Sequence, residues 1–241
     1  MATFLELGHH GRFGNALFQI ATTIGYSRKY NVPFCFPKWE YQSLLNIPDD
    51  CFVDRAAIRV TTHFKEPRYA YTNIPFQDNC SLSGYFQSWK YFDHCQDYIR
   101  KVLSPTTLEE LKEYCCIHVR RGDYLRYPEH HPTQSMQYYM SAIEKIPVKK
   151  FLVFSDDVGW CKQNFTGNDF TINEPSSVAS DVQKMTSCSH FVIANSSFSW
   201  WPAWLNKGNG KVVVAPSNWF GLRLKDTNPI SDLIPPEWIV I

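Results

Sequence analysis

Four continuously apolar runs stand out in the second half of the chain. They lie at residues 115–119, 151–154, 191–194 and 212–215. Their apolar residues are consecutive rather than alternating with polar ones, which is typical of strands that are covered on both faces. The pattern therefore predicts four buried strands of one sheet.

Segments with helical periodicity lie between these runs, at residues 133–146, 176–188 and 198–208. In the second segment Val178, Val182 and Met185 recur on one helical face. Gly208 is in the position of a C-terminal cap for the third segment. Because strands and helices alternate, the pattern predicts an α/β fold with a parallel, doubly wound sheet.

The first half of the chain is less regular. A short strand is predicted over residues 3–7, followed by a glycine-rich loop and an amphipathic helix over 15–30. Residues 33–80 are rich in proline, aromatic residues and turn formers, and their pattern assigns no element.

Two further helices are predicted before the first apolar run. One begins around Trp89 and ends at Leu103, because Ser104-Pro105 follows it. The other covers 106–114, with Thr106 or Thr107 as its N-terminal cap.

Composition excludes several classes of protein. The 241 residues are 44% hydrophobic and carry 24 basic and 23 acidic side chains, so the chain can bury a core but lacks the basic surface of a nucleic-acid binder. None of the eight cysteines forms a C-x-x-C pair, which argues against a zinc knuckle or a thioredoxin-like site. No apolar run approaches the ~20 residues of a membrane span, and the N-terminus has no signal-peptide pattern.

Polar residues follow each of the four predicted strands. Residues 120–123, 155–157, 195–197 and 216–218 contain an arginine pair, two aspartates, and a serine-rich helix start among other hydrogen-bonding groups. Ligands of open α/β sheets bind at the carboxyl ends of the strands. One polar turn is ordinary, but four together indicate a nucleotide-type ligand.

The arginine pair suits a diphosphate, because a guanidinium is always charged and binds two oxygens at once. Arg120 and Arg121 are adjacent, so in an extended chain they point to opposite faces. One arginine then faces the ligand, and the other pairs with Asp123 or another acid. The alternative is an ordinary salt-bridged turn.

The segment "NSSFSWW" supplies a second anion-binding candidate. The free amides of a helix that begins near Ser196 and Ser197 would bind phosphate. Serine at this position is also a common N-terminal cap, and the two roles are compatible. The tryptophans that follow are expected in the core.

Other chemistries have weaker support. The histidine doublets at 9–10 and 130–131 lack the H-E-x-x-H spacing of a zinc site, and no G-x-S-x-G elbow indicates a hydrolase. The tripeptide Arg121-Gly122-Asp123 follows a buried strand, which argues against an adhesion loop. The loop "GHHGRFGN" matches neither the dinucleotide nor the P-loop pattern, and Arg12 and Asn15 are its polar contributors.

Five segments in order, "GRFGNALFQIA", "GYFQSWKYF", "HVRRGDY", "FSDD" and "ANSSFSWWPAWL", resemble the motifs of the α-1,2-fucosyltransferases of glycosyltransferase family 11. The last three also resemble the wider α-1,2-, α-1,6- and protein O-fucosyltransferase group. The resemblance implies a GT-B-like architecture of two Rossmann-like lobes, GDP-fucose as donor, inversion at the anomeric carbon, and no metal or other cofactor. Ala16 and Pro202 replace a common glutamine and glycine of the family, so the motifs indicate the donor better than the acceptor.

The resemblance also implies roles for individual residues. His118 would contact the nucleoside, Arg120 the β-phosphate, and Asp156 the guanine, while Arg121 supports activity or site integrity. The remaining implied residues are Asp123 as the acid of the motif, Ser196, Ser197 and Phe198 at the phosphates, and Arg12, Gly14 and Asn15 in the loop that reaches toward the donor. Together with the residue pattern, this predicts that Arg120 binds the diphosphate while Arg121 and Asp123 hold the strand end in shape.

The motifs and the resemblance together predict the domain boundaries and the reaction. Residues 1–105 form an N-terminal acceptor-side lobe, 106–225 a GDP-sugar-binding lobe, and 226–241 a tail packing back on the N-terminal lobe. The predicted enzyme moves L-fucose to an acceptor glycan, α-1,2 to galactose, with Arg120 and Asp123 catalytic. Asp123 and Glu129 are both candidates for the general base. The alternative is a dissociative reaction, which needs little general-base catalysis.

Alternatives are another GDP-sugar or linkage, or a non-catalytic nucleotide-sugar-binding module. The expected partners are the GDP-sugar and an oligosaccharide acceptor, without nucleic acid or a membrane span. A soluble, cytoplasmic protein of bacterial or viral type is expected.

Overall fold

The computed structural model describes residues 1–105 and 108–241. The first half of the chain contains five short parallel strands. These are β1 (Ala2–Thr3), β2 (Phe36–Pro37), β3 (Phe52–Val53), β4 (Thr62–Lys65) and β5 (Cys80–Ser83). One sheet has the order β1-β5-β4, and β2 pairs with β3 separately. The strand predicted over 3–7 ends at Thr3, because the amides of Leu7 and His9 close turns onto Phe4 and Glu6.

The helix α1 (Phe13–Tyr30) begins two residues before the predicted start. Residues 16–27 are all buried, so the helix is enclosed on every face rather than amphipathic. It ends at Asn31, which adopts a left-handed conformation with a φ of 51° and donates its amide to the Ser27 carbonyl.

The helix α2 (Gln96–Leu103) ends where Ser104-Pro105 predicted. Its predicted first part is instead two 3-10 turns, Trp89–Tyr91 and Asp93–Cys95. The proposed caps Thr106 and Thr107 lie outside the described residues, and the segment after them contains a 3-10 turn at Glu109–Leu111.

Six parallel strands form the sheet of the second half. They are β6 (Tyr114–Val119), β7 (Lys150–Ser155), β8 (Phe170–Ile172), β9 (His190–Val192), β10 (Val213–Ala215) and β11 (Ile239–Val240). The four predicted apolar runs all contain strands of this sheet. The two edge strands, β8 and β11, were not predicted because they are short and partly exposed.

Helices connect these strands: α3 (Met136–Ile143), α4 (Val158–Asn164), α5 (Val178–Ser187) and α6 (Ser197–Leu205). The prediction that α6 extends to Gly208 is wrong. The helix ends at Leu205 because Asn206 leaves it and donates its side-chain amide to the carbonyls of Thr186 and Cys188 at the end of α5. The helix α4 was not predicted.

The strand order places a switch point inside the sheet. The order β8-β7-β6-β9-β10-β11 is that of the doubly wound nucleotide-binding fold, in which the chain reverses direction across the sheet between β6 and β9. Val119 pairs with Ser155 and Ile117 with Val192. The predicted α/β, GT-B-like fold with a parallel sheet in the C-terminal lobe is confirmed.

Apolar side chains of this sheet and its helices form the core of the second half. Cys115, Ile117 and Val153 pack there with Tyr139 and Phe165. As expected, Trp200, Trp201 and Trp204 are buried, and Trp200 also packs against Trp238.

The chain divides into two compact units. The first contains Met1–Ser104 and Thr227–Pro235, and the second contains Pro105–Asp226 and Pro236–Ile241. The tail predicted as one segment is therefore shared, because its last residues supply β11 to the second sheet. Within residues 1–105 and 108–241, no helix has both the length and the apolar composition to cross a bilayer.

Candidate active site

The candidate site of the second unit lies at the carboxyl ends of β6, β7 and β9. Arg120, Asp156 and the segment that begins at Asn195 each follow the end of one of these strands. Because Val119 pairs with Ser155, continuing the register sets Arg120 beside Asp156. The switch point between β6 and β9 is where doubly wound sheets bind ligands.

Arg120 lies between two carboxylates. Its Nη1 is 2.7 Å from Oδ2 of Asp156, and its Nη2 contacts Oδ1 of Asp123. The guanidinium also lies over the ring of Tyr124, 5.4 Å from its centre. The side chain is 17% exposed, so it is oriented in advance yet reachable from one side.

Arg121 has a different environment. Its Nε donates to Oδ2 of Asp157 at 3.0 Å, and its guanidinium lies 4.3 Å from the centre of the Trp160 ring. Arg121 therefore pairs with an acid other than Asp123, which is the second of the two alternatives predicted for it. Asp123 pairs with Arg120, and the acid that holds Arg121 is Asp157, the N-terminal cap of α4.

Asp156 organises the turn after β6. Its Oδ1 accepts the amides of Arg121 at 2.9 Å and Gly122 at 3.2 Å, while Oδ2 binds Arg120. A Cβ on Gly122 would lie 2.6 Å from Oδ2, so this close approach requires glycine. The carboxylate predicted to contact guanine thus has three donors within the protein, and the guanine contact stays a prediction.

His118 is buried at the end of β6 and connects it to α6. Its Nδ1 is 2.8 Å from Oγ of Ser199, and its ring centre is 5.8 Å from that of Phe198. Burial, assisted by the charge of Arg120, lowers the pKa of His118 to about 3. The imidazole is therefore neutral near pH 7, and it can offer a ligand a hydrogen bond but no charge. Ser199 belongs to the predicted helix start, but its contact with His118 was not predicted.

The start of α6 completes this edge of the sheet. The Oγ of Ser196 accepts the amide of Phe198 at 3.3 Å, so the serine does cap the helix. Ser197 and Phe198 are half-buried beside it. Binding of phosphate by these amides is compatible with the cap and stays a prediction.

A buried amide network connects the loops around the site. The Nδ2 of Asn195 donates to the carbonyls of Pro132 and Trp219, and its Oδ1 accepts from Gln134. Tyr124 donates its hydroxyl to the Asn195 carbonyl at 2.9 Å. Gln134 was not predicted as part of the site, because a single glutamine in a loop carries no periodic or motif signal.

Glu129, one of the two candidates for the general base, is in an exposed ion pair. Its Oε2 accepts from Nε of Arg223 at 2.7 Å. The loop around it is packed closely, because a Cβ on Gly221 would lie 2.4 Å from the Glu129 backbone. Both candidate bases of the second unit are thus paired with arginines.

The predicted residues of the "GRFGN" loop lie in the first unit. Arg12 is exposed at the start of α1, Gly14 is buried in the first turn, and Asn15 accepts a hydrogen bond from Gln87 at 2.8 Å. Gly11 has a φ of 85°, and a Cβ there would lie 1.9 Å from Nδ2 of Asn15. Glycine is therefore required where the Asn15 side chain crosses the loop. In the part of the chain that the structure describes, no cluster of three His, Cys, Asp or Glu side chains is arranged to hold a metal ion.

Comparison with known families and proteins identifies relatives over most of the chain. The sequence profile described as glycosyl transferase family 11 matches residues 40–241. An alpha-1,2-colitosyltransferase of Escherichia coli is 30% identical over 191 residues, which cover 70% of this chain and 65% of that protein. The O-antigen biosynthesis glycosyltransferase WbnK of Escherichia coli is 38% identical over 134 residues, 51% of this chain and 43% of that protein.

Two further similarities extend along more of the chain. The galactoside alpha-(1,2)-fucosyltransferase 2 of Oryctolagus cuniculus is 25% identical, covering 96% of this chain and 75% of that protein. The crystal structure of POFUT1 in complex with GDP superposes with a TM-score of 0.55 at 11% identity, covering 88% of this chain and 97% of that one. The second similarity shows a shared fold. The matched part of the chain spans about two thirds of the length of the colitosyltransferase. It spans less than half of the length of WbnK.

Proposed function

Because the chain belongs to glycosyl transferase family 11, we propose that it transfers a sugar from a GDP-sugar to a hydroxyl of an acceptor glycan. The observation that carries the proposal is the switch point between β6 and β9, where Arg120, His118 and the start of α6 meet. These are a cation, a neutral hydrogen-bonding ring and the amino-terminal turn of a helix, a combination that suits a nucleoside diphosphate.

Arg120 has the central role in the proposed reaction. The acceptor oxygen bonds to the anomeric carbon as the bond from that carbon to the β-phosphate oxygen breaks, and negative charge develops on the departing GDP. A preorganised cation stabilises such charge because it needs no reorientation during the step. Arg120 is held in position by Asp156 and Tyr124. The first-turn amides of α6 supply further donors.

The acceptor hydroxyl must also lose its proton. Asp123 is the candidate base of the second unit that lies in the same turn as Arg120, and its carboxylate is 41% exposed. A diphosphate that binds Arg120 would displace Asp123 from Nη2, which would leave the carboxylate able to accept that proton. The reaction as proposed inverts the anomeric carbon and needs no metal.

L-Fucose is the sugar we propose, with a galactoside as acceptor and an α-1,2 linkage. The five motifs and the similarity to the rabbit galactoside alpha-(1,2)-fucosyltransferase support this choice. The second candidate has colitose as the transferred sugar, and the similarity to the alpha-1,2-colitosyltransferase supports it. Both candidates use the same donor-diphosphate site.

Calorimetric titration with GDP, GDP-fucose, UDP and UDP-galactose tests the donor. We expect binding of both guanosine ligands and none of the uridine ligands, and binding confined to the uridine ligands would refute the proposal. Incubation with GDP-fucose and a panel of galactosides, followed by mass spectrometry, tests transfer. Activity that persists after treatment with EDTA is expected of a metal-independent reaction. Binding without transfer to any acceptor would instead indicate a non-catalytic module.

A further inference from the structure

The first unit also contains a parallel sheet, and the carboxyl ends of β1, β5 and β4 form one edge of it. These strands are neighbours in the order β1-β5-β4, so the segments that follow them lie side by side. The segments are residues 4–12 after β1, 84–88 after β5 and 66–72 after β4. The candidate donor site of the second unit likewise lies at the carboxyl ends of parallel strands.

Buried polar groups hold two of these segments in fixed positions. Gln19 is fully buried in α1, and its Nε2 donates to the carbonyls of His10 and Gly84, both at 3.3 Å. Glu66 accepts the amides of Tyr85 at 2.8 Å and Phe86 at 2.9 Å. The segment after β5 is therefore clamped from two sides.

The backbone of the clamped segment is unusual. Gly84 has a φ of 147°, and the buried Phe86 has a φ of 50°, which is uncommon for a bulky residue. Such conformations cost free energy and persist where the surroundings enforce them, often at binding sites. Their effect here is to bury Phe86 and leave Tyr85 at the surface, where it is 43% exposed.

Polar side chains surround Tyr85 on this edge. The ring of His10 packs against it edge-on at 6.1 Å, and Tyr69 lies 6.5 Å away. Oε2 of Glu6 contacts Nε2 of His10 at 2.9 Å and accepts from Oγ of Ser83 at 2.8 Å. An exposed aromatic ring thus lies next to a carboxylate and an imidazole that are already oriented.

We propose that Tyr85, His10 and Glu6 form a saccharide-binding site in the first unit, and that this site takes the neutral acceptor sugar. An aromatic face packs against the apolar face of a pyranose, and carboxylate and imidazole groups bond its hydroxyls. The contact of His10 with Glu6 uses Nε2, which leaves Nδ1 as the second hydrogen-bonding nitrogen of the ring. The carboxylate of Glu6 makes the position beside His10 unfavourable for a phosphate.

The identity of the ligand rests on the proposed function, which makes a galactoside the acceptor. Lactose is therefore the probe, titrated by saturation-transfer NMR and calorimetry with and without saturating GDP. We expect Tyr85→Ala to weaken lactose binding at least fivefold and Tyr85→Phe to retain it, because the ring rather than the hydroxyl supplies the platform. Glu6→Gln should weaken lactose binding by a smaller factor, since an amide is a poorer acceptor than a carboxylate.

Phe76→Ala is the matched control, because Phe76 is an exposed aromatic residue of the same unit that packs against Tyr30. It should leave lactose affinity unchanged, and none of the variants should change the affinity for GDP. Thermal unfolding of each variant identifies any loss of folding.

Two results would overturn the inference: absence of lactose binding under both conditions, or equal binding by wild type and Tyr85→Ala. Either result together with normal GDP binding leaves the proposed donor chemistry intact. Absence of GDP binding would instead count against the proposed function.

Discussion

Each unit contains a carboxylate that accepts two successive backbone amides from the segment after a neighbouring strand. Asp156 follows β7 and accepts two successive amides, those of Arg121 and Gly122, from the turn after the neighbouring β6. Glu66 follows β4 and accepts two successive amides, those of Tyr85 and Phe86, from the segment after the neighbouring β5. In both places a glycine lies against the carboxylate, and a Cβ on Gly122 or Gly84 would approach a carboxylate oxygen to 2.6 or 2.7 Å.

The two carboxylates differ in their charge partners. Asp156 also pairs with Arg120, whereas Glu66 has no basic partner among the described residues. Burial raises the pKa of Glu66 against the opposing effect of its two amide bonds. One backbone arrangement therefore carries Arg120 beside it in the second unit and the exposed ring of Tyr85 in the first. The parallel strands form a similar edge in both units, and we propose that the different side chains select a diphosphate in one and a sugar in the other.

Removal of the cation should produce the largest effect. We expect Arg120→Ala to reduce turnover by more than tenfold, since losing a charge-assisted contact to a transition state costs about 2–4 kcal/mol. Arg121→Ala, which loses contacts to Asp157 and Trp160, should affect stability more than turnover. Initial rates with GDP-fucose measure the first effect and thermal unfolding the second.

Lys150→Ala is the matched control for these variants, because its pair with Glu113 is exposed and no role in the candidate site is proposed for either residue. It should leave the turnover number within about twofold, as exposed ion pairs contribute little. Equal losses of turnover in Arg120→Ala and Arg121→Ala would contradict the separate roles of the two arginines.

Neutralising Asp156 should lower the free energy of unfolding more than neutralising Glu66. Asp156→Asn weakens a partly buried pair with Arg120, and we expect it to lower the free energy of unfolding by about 2 kcal/mol. Glu66→Gln keeps an oxygen for the amides and removes a poorly solvated charge, so we expect a change within about 1 kcal/mol. Urea unfolding of both variants measures the difference, and a larger loss in Glu66→Gln would reverse the comparison.

Lowering the pH should change the contributions of His118 and Glu66 to the free energy of unfolding in opposite directions. The folded-state pKa of His118, about 3, lies below its unfolded value of 6.5, so its stabilising contribution is present above pH 6.5 and is lost as the pH falls toward 3. Between pH 7 and pH 5 the loss is about 2 kcal/mol. The pKa of Glu66 is raised from 4.5, so its contribution is present at low pH and is lost as the pH rises through its folded-state pKa.

Unfolding free energies at several pH values, measured for wild type, His118→Gln and Glu66→Gln, check these signs. The His118→Gln variant should lose less stability between pH 7 and pH 5 than wild type. The Glu66→Gln variant should lose more stability than wild type as the pH is lowered. Parallel curves for all three proteins would show that neither group governs acid stability.

The smallest expected effect concerns donor affinity. Asp123 contacts the same guanidinium that we propose for the diphosphate, so Asp123→Asn should tighten GDP binding by about twofold to fivefold by removing a competing charge. Turnover should fall in the same variant if the carboxylate also accepts the proton. Calorimetry with GDP and initial rates measure the two effects, and weaker GDP binding would argue that Asp123 positions Arg120 rather than competing for it.

Regular elements were predictable because buried strands and helices leave periodic patterns. The runs at 115–119 and 151–154 became the paired strands β6 and β7, and their polar ends identified the edge of the sheet where the candidate site lies. The helix α4 and the edge strands β8 and β11 were missed, since short or partly exposed segments lack a continuous apolar run. The strands of the first unit, two to four residues long, are too short to show any period.

The sequence by itself determined the α/β class, the positions of the four principal strands along the chain, the family motifs and the residues at the strand ends. These depend on local periodicity and on short segments whose meaning is contained in neighbouring positions. Only the tertiary structure decided that Arg120 pairs with both Asp123 and Asp156, that Arg121 pairs with Asp157, and that Glu66 presents Tyr85. Such partners depend on strand register and on which strands are neighbours. Long-range hydrogen bonds and packing determine both the register and the neighbours.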